Sequence, residues 1–233
     1  ERMGHHPGTL KLEALPATAA DTERAWSWAK RHCLPTFGPY EDAMSTRSRN
    51  LFHTRISALL NLGRLAARRV VEEAVALDVP LASKEGFVRQ ILGWREFVRH
   101  VHEATDGFRV IRGAAQPVLR APGDGGFLGW RGEPWPTAAG GDGGSRTSVL
   151  GADRPVPPAY WGALSGLRCL DEVIRSVWEE GYSHHITRLM VLSNLAMLLD
   201  VAPRDLTDWF WAAYVDAYDW VVEPKFDGAS TSL

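Results

Sequence analysis

The apolar residues of this chain recur at helical spacing, and no stretch of any length alternates as a β-strand would. Five segments combine the 3.6-residue period with residues that start or stop helices, namely 21–34, 55–77, 83–104, 167–181 and 202–220. The clearest is 83–104, whose apolar positions keep the period throughout: Phe87, Val88, Ile91, Leu92, Trp94, Phe97, Val98 and Val101. We therefore predict an all-α fold, a helical bundle without a sheet.

The ends of these helices can be predicted from the residues that favour caps and turns. Expected starts are Asp21 or Thr22, Ser83, Tyr182 or Ser183, and Pro203. Expected interruptions are Gly63, which splits 55–77 into two helices, and Gly181, which ends the helix before it.

A chain of 233 residues can bury a sizeable core in one domain or two. We expect one helical domain over 20–225, between an N-terminal tail (1–19) and a C-terminal tail (226–233). Residues 111–160 are rich in glycine and proline, which predicts a long loop. This loop is a candidate lid over a cavity, with Trp130 and Trp135 as apolar contacts.

Charge and cysteine content narrow the function classes. The net charge is −2, whereas nucleic-acid-binding proteins are typically basic overall. A local basic patch is still compatible with this charge. Cys33 and Cys169 lie far apart and lack the spacing of metal ligands, which predicts a reducing, cytoplasmic location. His100, His102 and Glu103 do not predict a metal, because helix neighbours two apart face different sides. No apolar run reaches the roughly 18 residues of a membrane span, so no membrane association is expected.

Three polar residues stand at the entrance of an otherwise apolar helix in "YSHHITRLMVLSNLAML" (182–198). Arg188 lies one turn after His184 and His185, so all three can reach one region. A cation beside an apolar helix body needs a carboxylate or phosphate partner, because an unpaired buried charge is costly. Asp216 is the candidate partner. The residues alone equally allow a purely structural ion pair beside two half-exposed histidines.

Six motifs, taken together and in order, resemble the helical, flavin-binding half of the photolyase/cryptochrome family. They are "FGPYEDAM" (37–44), "LFHTRISALLNLGRL" (51–65), "EGFVRQILGWREFVRHVH" (85–102), "RPVPPAYW" with "LRCL" (154–170), "YSHHITRLMVLSNLAML" (182–198) and "WFWAAYVDAYDWVVEP" (209–224). The resemblance covers about residues 20 to 225 and is greatest to the bacterial iron–sulfur (6-4) photolyases. It implies the helical fold of that family.

The resemblance also implies a role for each matched residue. The FAD-binding positions would be His53, Thr54, Arg55, Ser57, Asn61, Arg188 and Asp216. Hydroxyls, amides and a guanidinium suit a diphosphate. The lesion side would be formed by Trp94, Arg95 and Gln90, with Trp94 as a stacking wall. His184 and His185 match a histidine pair that serves proton transfer, which suits an imidazole near neutral pH.

The chain also departs from the family. We expect no α/β antenna domain beside the helical part, and because Cys169 is the one cluster ligand of four that is matched, we expect no iron–sulfur cluster. Val222 stands where the matching branch carries a glutamate near the flavin N5 atom, with Glu223 one residue out of register. Phe210 replaces a tyrosine of the electron-transfer region. FAD therefore stays open as a cofactor.

Three functions follow from these matches and departures. The first is a light-independent enzyme, with a small-molecule substrate in the former flavin or lesion cavity and with His184, His185, Arg188 and Asp216 as catalytic residues. A place in secondary metabolism is a further expectation for this first function. The second is a minimal FAD-binding DNA photolyase or cryptochrome-type photoreceptor, with DNA as a partner in the photolyase case. The third is a non-enzymatic subunit completed by a partner chain.

Overall fold

The computed structural model of this protein describes residues 15–104, 151–218 and 220–222. Within these ranges the chain is helical, and the one strand-like contact is an isolated parallel bridge between Arg154 and Val201. The predicted all-α fold is confirmed. Most of the predicted tails and of the 111–160 loop, including Trp130 and Trp135, lies outside the described residues.

Nine helices are numbered here in chain order within the described ranges. They are α1 Ala19–His32, α2 Phe37–Tyr40, α3 Ser57–Asn61, α4 Ala67–Ala76, α5 Leu81–Ala104, α6 Arg168–Glu180, the π-helical α7 Thr187–Ser193, its continuation α8 Asn194–Leu198, and α9 Pro203–Ala213. Short 3₁₀ turns occupy Leu34–Thr36 and Pro158–Trp161. None of the helices in these ranges combines the length and the apolar content that crossing a membrane requires.

Two predicted breaks and one predicted helix start are confirmed. Gly63 separates α3 from α4 with a φ of 68°, and Gly181 caps α6 with a φ of 61°. These left-handed conformations suit glycine, which has no Cβ to clash with the backbone. Pro203 opens α9, where its missing N–H would have no helical partner in any case.

The predicted starts of three other helices are wrong. Thr18 caps α1, because its hydroxyl accepts from the Asp21 N–H while the Asp21 carboxylate accepts from the Thr18 N–H, so neither Asp21 nor Thr22 is the cap. Ser83 lies inside α5, where its Oγ accepts a 2.9 Å bond from the Gly38 N–H. The helix expected to start at Tyr182 or Ser183 begins at His185, just before the π-helical segment.

The buried side chains form two clusters, one from each half of the chain. The N-terminal cluster packs Trp26 and Phe87 among α1, α4 and α5. The C-terminal cluster is built around Trp209, whose indole N–H donates a 3.0 Å bond to the Tyr160 carbonyl oxygen. Segments from both halves of the chain meet at the cavity described below.

Candidate functional site

The two halves of the chain enclose a cavity of about 230 Å³. Its walls come from the segment before and within α3, from α5, from 182–188 and from 216–221. The predicted site residues on these walls are His53, Thr54, Arg55, Ser57, Asn61, Gln90, Trp94, Arg95, His185, Arg188 and Asp216. Positions that lie up to about 160 residues apart in sequence are therefore brought together.

The predicted ion pair between Arg188 and Asp216 is present in the wall of this cavity. Nη2 of Arg188 donates to Oδ2 of Asp216 at 3.0 Å, and Nε donates to the Ser183 carbonyl oxygen at 2.8 Å. The Asp216 side chain is 5% exposed and that of Arg188 is 20% exposed. Because both side chains are largely buried, removal of one partner would leave the other charge unpaired away from water, which is destabilising.

Two tyrosine rings flank the guanidinium of Arg188. Its central carbon lies 4.1 Å from the ring centroid of Tyr214 and 5.1 Å from that of Tyr182. Burial opposes the charged guanidinium, but the Asp216 carboxylate and the tyrosines outweigh it and raise the pKa of Arg188. Burial raises the pKa of Tyr182 to about 12. At neutral pH the arginine is therefore a fixed cation and the tyrosines are neutral.

Asp216 also organises α3, which carries two of the predicted FAD-binding residues. The Ser57 hydroxyl donates to Oδ2 of Asp216 at 2.6 Å, and Nδ2 of Asn61 donates to its main-chain oxygen at 2.9 Å. The other carboxylate oxygen, Oδ1, is buried without a hydrogen-bond partner. A buried acceptor of this kind is costly unless a ligand or water donates to it.

Arg55 is held away from the middle of the cavity by a carboxylate on α6. Its Nη1 lies 3.0 Å from Oε2 of Glu180, and its guanidinium carbon lies 4.7 Å above the Tyr182 ring. Arg55 has a φ of 55°, a left-handed conformation that is uncommon for a residue with a side chain. These contacts direct the charge of Arg55 toward Glu180.

The aromatic wall opposite the histidines is fixed by a hydrogen-bonded series. Nε1 of Trp94 donates to Oε1 of Gln90 at 2.9 Å, and Nε2 of Gln90 donates to Oε1 of Glu41 at 2.5 Å. The Trp94 ring lies 5.7 Å from the ring of His185 at 65°. Gln90, predicted to bind substrate, thus uses both ends of its amide within the protein and orients Trp94.

His184 is the predicted site residue that does not line the cavity. Its side chain is 2% exposed and stacks on His53, with ring centroids 4.3 Å apart and an interplanar angle of 10°. Nδ1 of His184 and Nε2 of His53 are buried without hydrogen-bond partners. The second imidazole at the cavity is therefore His53, and the catalytic role predicted for His184 remains a prediction.

Burial lowers the pKa of both stacked histidines to about 4. Arg188 adds to the lowering for both rings, His53 and His185 add to it for His184, and Asp42 opposes it for His53. Both rings are therefore neutral at pH 7, which makes His184 a poor proton donor there.

This stacked pair predicts acid instability. The unfolded imidazoles have a pKa of 6.5, so below that pH protons bind the unfolded chain in preference. The stability that the neutral rings contribute is complete above pH 6.5 and is lost as the pH falls toward 4, by about 1.4 kcal/mol per unit of pKa shift in each ring. Urea unfolding across this range should show a steeper loss in wild type than in His184→Phe. A variant of the exposed His100, His100→Ala, should retain the wild-type slope, and equal slopes in all three proteins would contradict the expectation.

Sequence reasoning missed several residues that shape the site. Glu41 anchors Gln90, while Tyr182 and Tyr214 flank Arg188. Glu41 and Tyr182 were signalled by their places within the "FGPYEDAM" and "YSHHITR" motifs. Tyr214 was signalled in the same way, by its place within the "WFWAAYVDAYDWVVEP" motif two residues before Asp216.

Comparison with known proteins gives a consistent result. No family model matches the sequence. The chain is 32% identical over 230 residues to the (6-4) photolyase of Agrobacterium fabrum (strain C58 / ATCC 33970), an alignment that covers 96% of this chain and 38% of that protein. Its fold is similar to that of a bacterial class III photolyase from Agrobacterium tumefaciens, with a TM-score of 0.64 and 16% identity over 94% of this chain and 40% of that chain. The chain therefore spans about two fifths of the length of each.

Proposed function

This chain is a relative of the photolyase/cryptochrome family, as the six motifs predicted, and we propose that it is an enzyme that acts without light on a small molecule in the central cavity. Relatives in this family are lyase-type enzymes, which supports the general assignment of an enzyme. The finer assignment depends on which of the family's functions the cavity residues can still perform. Two free cysteines, Cys33 and Cys169, suit the reducing cytoplasm as its location.

The observation that carries this proposal is the state of the donors that the resemblance assigns to the FAD phosphates. Of the three side chains at these positions, Thr54, Arg55 and Ser57, the Ser57 hydroxyl donates to Asp216 at 2.6 Å and Arg55 pairs with Glu180 at 3.0 Å. A diphosphate placed here would have to displace these bonds and would bring its charge close to two carboxylates. The negative charges of the diphosphate and of these carboxylates would repel each other strongly in a partly buried site. Ser57 and Arg55, held by these two carboxylates, are less suited to a diphosphate than unpaired donors would be, and no step through a flavin is proposed.

The flavin-ring side has changed as well. Val222, at the position of the glutamate in the matching branch, is 5% exposed and packs in the C-terminal cluster. An isopropyl group cannot hydrogen-bond to a flavin nitrogen or move a proton. Glu223 lies outside the described residues. The replacement of this glutamate by Val222 therefore affects redox chemistry at a flavin more directly than it affects the binding of a ligand in the cavity.

The remaining residues can support acid–base chemistry. His185 faces the cavity beside the Trp94 ring, so its imidazole can exchange a proton with a ligand held against the indole. The Arg188–Asp216 pair is fixed by its bonds and can stabilise negative charge that develops on the ligand without reorganising. His53 is neutral and can donate or accept one hydrogen bond to a ligand.

A second candidate is a minimal FAD-binding photolyase or cryptochrome-type photoreceptor. The buried Oδ1 of Asp216 favours it, because that acceptor lacks a donor and belongs to the pair that the resemblance places against the flavin ring. Under this alternative DNA is the partner of the photolyase form, and the 32% identity to a (6-4) photolyase is consistent with it.

The colour of the purified protein tests the two candidates. We expect a colourless protein, without flavin absorption, because Ser57 and Arg55 at the phosphate positions serve carboxylates. Adding FAD to the purified protein should not quench flavin fluorescence. A stoichiometric yellow chromophore, released by heat and identified by mass spectrometry as FAD, would establish the second candidate.

A further inference from the structure

Arg95 differs from the other cations that line the cavity. Its side chain is half-buried on α5, and its Nη1 donates a 2.8 Å bond to the Ile91 carbonyl oxygen one turn earlier. No carboxylate of the described residues lies within ion-pair distance of it. Burial, with no compensating anion, lowers the pKa of Arg95, although a guanidinium keeps its charge at neutral pH.

The other charged residues of the cavity wall have partners of opposite charge. Arg188 pairs with Asp216 at 3.0 Å, and Arg55 pairs with Glu180 at 3.0 Å. Glu41 accepts a bond from Gln90 and lies 3.7 Å from a guanidinium nitrogen of Arg89. Arg95 is thus the lining cation, among the described residues, whose charge the protein does not balance.

We propose that Arg95 and Trp94 form a subsite for the anionic group of a planar substrate, a carboxylate or a phosphate attached to a flat ring. Arg95 has five N–H donors and uses one on Ile91, so enough remain for a two-pronged bond to an anion. Trp94, the next residue, lines the same cavity, and its indole N–H donates to Gln90. This inference rests on the proposed small-molecule function and specifies the class of its substrate.

Equilibrium binding of two matched probes tests the subsite. Benzoate and its neutral counterpart benzamide share the flat ring and differ in charge. Wild type should bind benzoate about ten- to a hundredfold more tightly than benzamide, as expected for one charge-assisted bond in a half-buried site. Arg95→Met, which retains most of the side-chain packing, should bind the two probes equally. Arg95→Lys retains the charge but not the fork, and it should show an intermediate preference.

A second arginine on the same helix supplies the control. Arg99 is exposed and paired with Glu96 and Glu103, so Arg99→Met removes the same charge without touching the cavity and should keep the wild-type preference. Equal affinities of wild type for the two probes would overturn the subsite, as would an equal loss of preference in Arg99→Met. If Arg95→Met does not fold, Arg95→Lys decides instead. An Arg95→Lys variant with the wild-type affinity for benzoate and the wild-type preference for benzoate over benzamide would also overturn the subsite.

A competition experiment distinguishes a small-molecule anion from a nucleic-acid phosphate as the ligand of the subsite. A single-stranded oligothymidylate should fail to displace benzoate if the subsite serves a small molecule, whereas Arg95-dependent displacement at micromolar concentration would assign the site to nucleic-acid phosphate and reject the small-molecule class. None of these measurements requires turnover. A charge preference that depends on Arg95 in a protein without dark activity would therefore sustain the subsite and reject the proposed function.

Discussion

Replacing Arg188 by methionine should lower the free energy of unfolding by about 3–5 kcal/mol, the range observed when one partner of a buried ion pair is removed. The variant leaves Asp216, 5% exposed, with the Ser57 hydroxyl as its remaining donor. It also removes the donor to the Ser183 carbonyl oxygen and the cation between two tyrosine rings. Urea unfolding followed by circular dichroism would measure the change.

A double-mutant cycle separates the ion pair from these other contacts. Asp216→Asn should also destabilise the protein, but Arg188→Met combined with Asp216→Asn should cost less than the sum of the two single changes, because a lone buried charge is the expensive state. The control is Arg175→Met on α6, which breaks an exposed pair with Glu172 and should change stability by about 0.5 kcal/mol or less. Additive single changes, or a loss in Arg188→Met no larger than that of the control, would contradict the expectation.

The existence of the helices could be predicted from sequence because it depends on a local apolar period, whereas several of their starts could not. Ser83 looks like a cap in sequence, but it lies within α5, which begins at Leu81, and α2 approaches so closely there that a Cβ on Gly38 would lie 2.7 Å from the α5 backbone. Ser83 then supplies the hydrogen-bond acceptor that the Gly38 N–H needs at that crossing. Such a contact joins positions 45 residues apart, and no local pattern contains it.

The sequence motifs predicted which types of side chain lie at the site, but not the direction of each side chain, which depends on the local backbone. The Arg188–Asp216 pair followed from the cost of a cation beside an apolar helix, and the pair is present. His184 and His185 are adjacent in sequence, but the helix begins at His185 and continues into the π-helical α7. This start leaves His184 just before the helix, with its ring buried. π-Helical segments often occur at functional sites, and their position cannot be inferred from the apolar period.

The hydrogen bonds of Gln90 indicate a different role from the one predicted for it, although its location was predicted correctly. Gln90 lines the cavity as predicted, but Glu41 and Trp94 occupy the two ends of its amide. The sequence shows that Gln90 and Trp94 lie one helical turn apart, which is the spacing of side-chain contacts. It does not show Glu41, which is 49 residues away from Gln90 and reaches α5 only because α2 packs on it.

His185→Ala should lower dark turnover by about 10²–10⁴-fold, the range for loss of a general acid or base, while the protein stays folded. The imidazole lies on the cavity wall at 5.7 Å from the Trp94 ring, so its removal takes away the proton-transfer group and leaves the opposite wall in place. Trp94→Ala should instead raise KM with a smaller change in kcat, because the indole contributes contact surface to the bound ligand. His100→Ala, a change to an exposed histidine of α5, is the matched control and should keep wild-type turnover.

The same variants distinguish the dark enzyme from the photolyase when they are assayed in darkness and under blue light. A dark enzyme should turn over at equal rates in both, with the loss in His185→Ala unchanged by light, because its proton transfer draws no energy from a chromophore. Repair of an oligonucleotide carrying a (6-4) photoproduct, seen only under blue light and abolished in His185→Ala, would reject the dark function while keeping His185 as the proton-transfer residue. Full activity of both His185→Ala and Trp94→Ala in either assay would refute the proposed site, since the proton-transfer group and the aromatic wall assigned to it would both be dispensable.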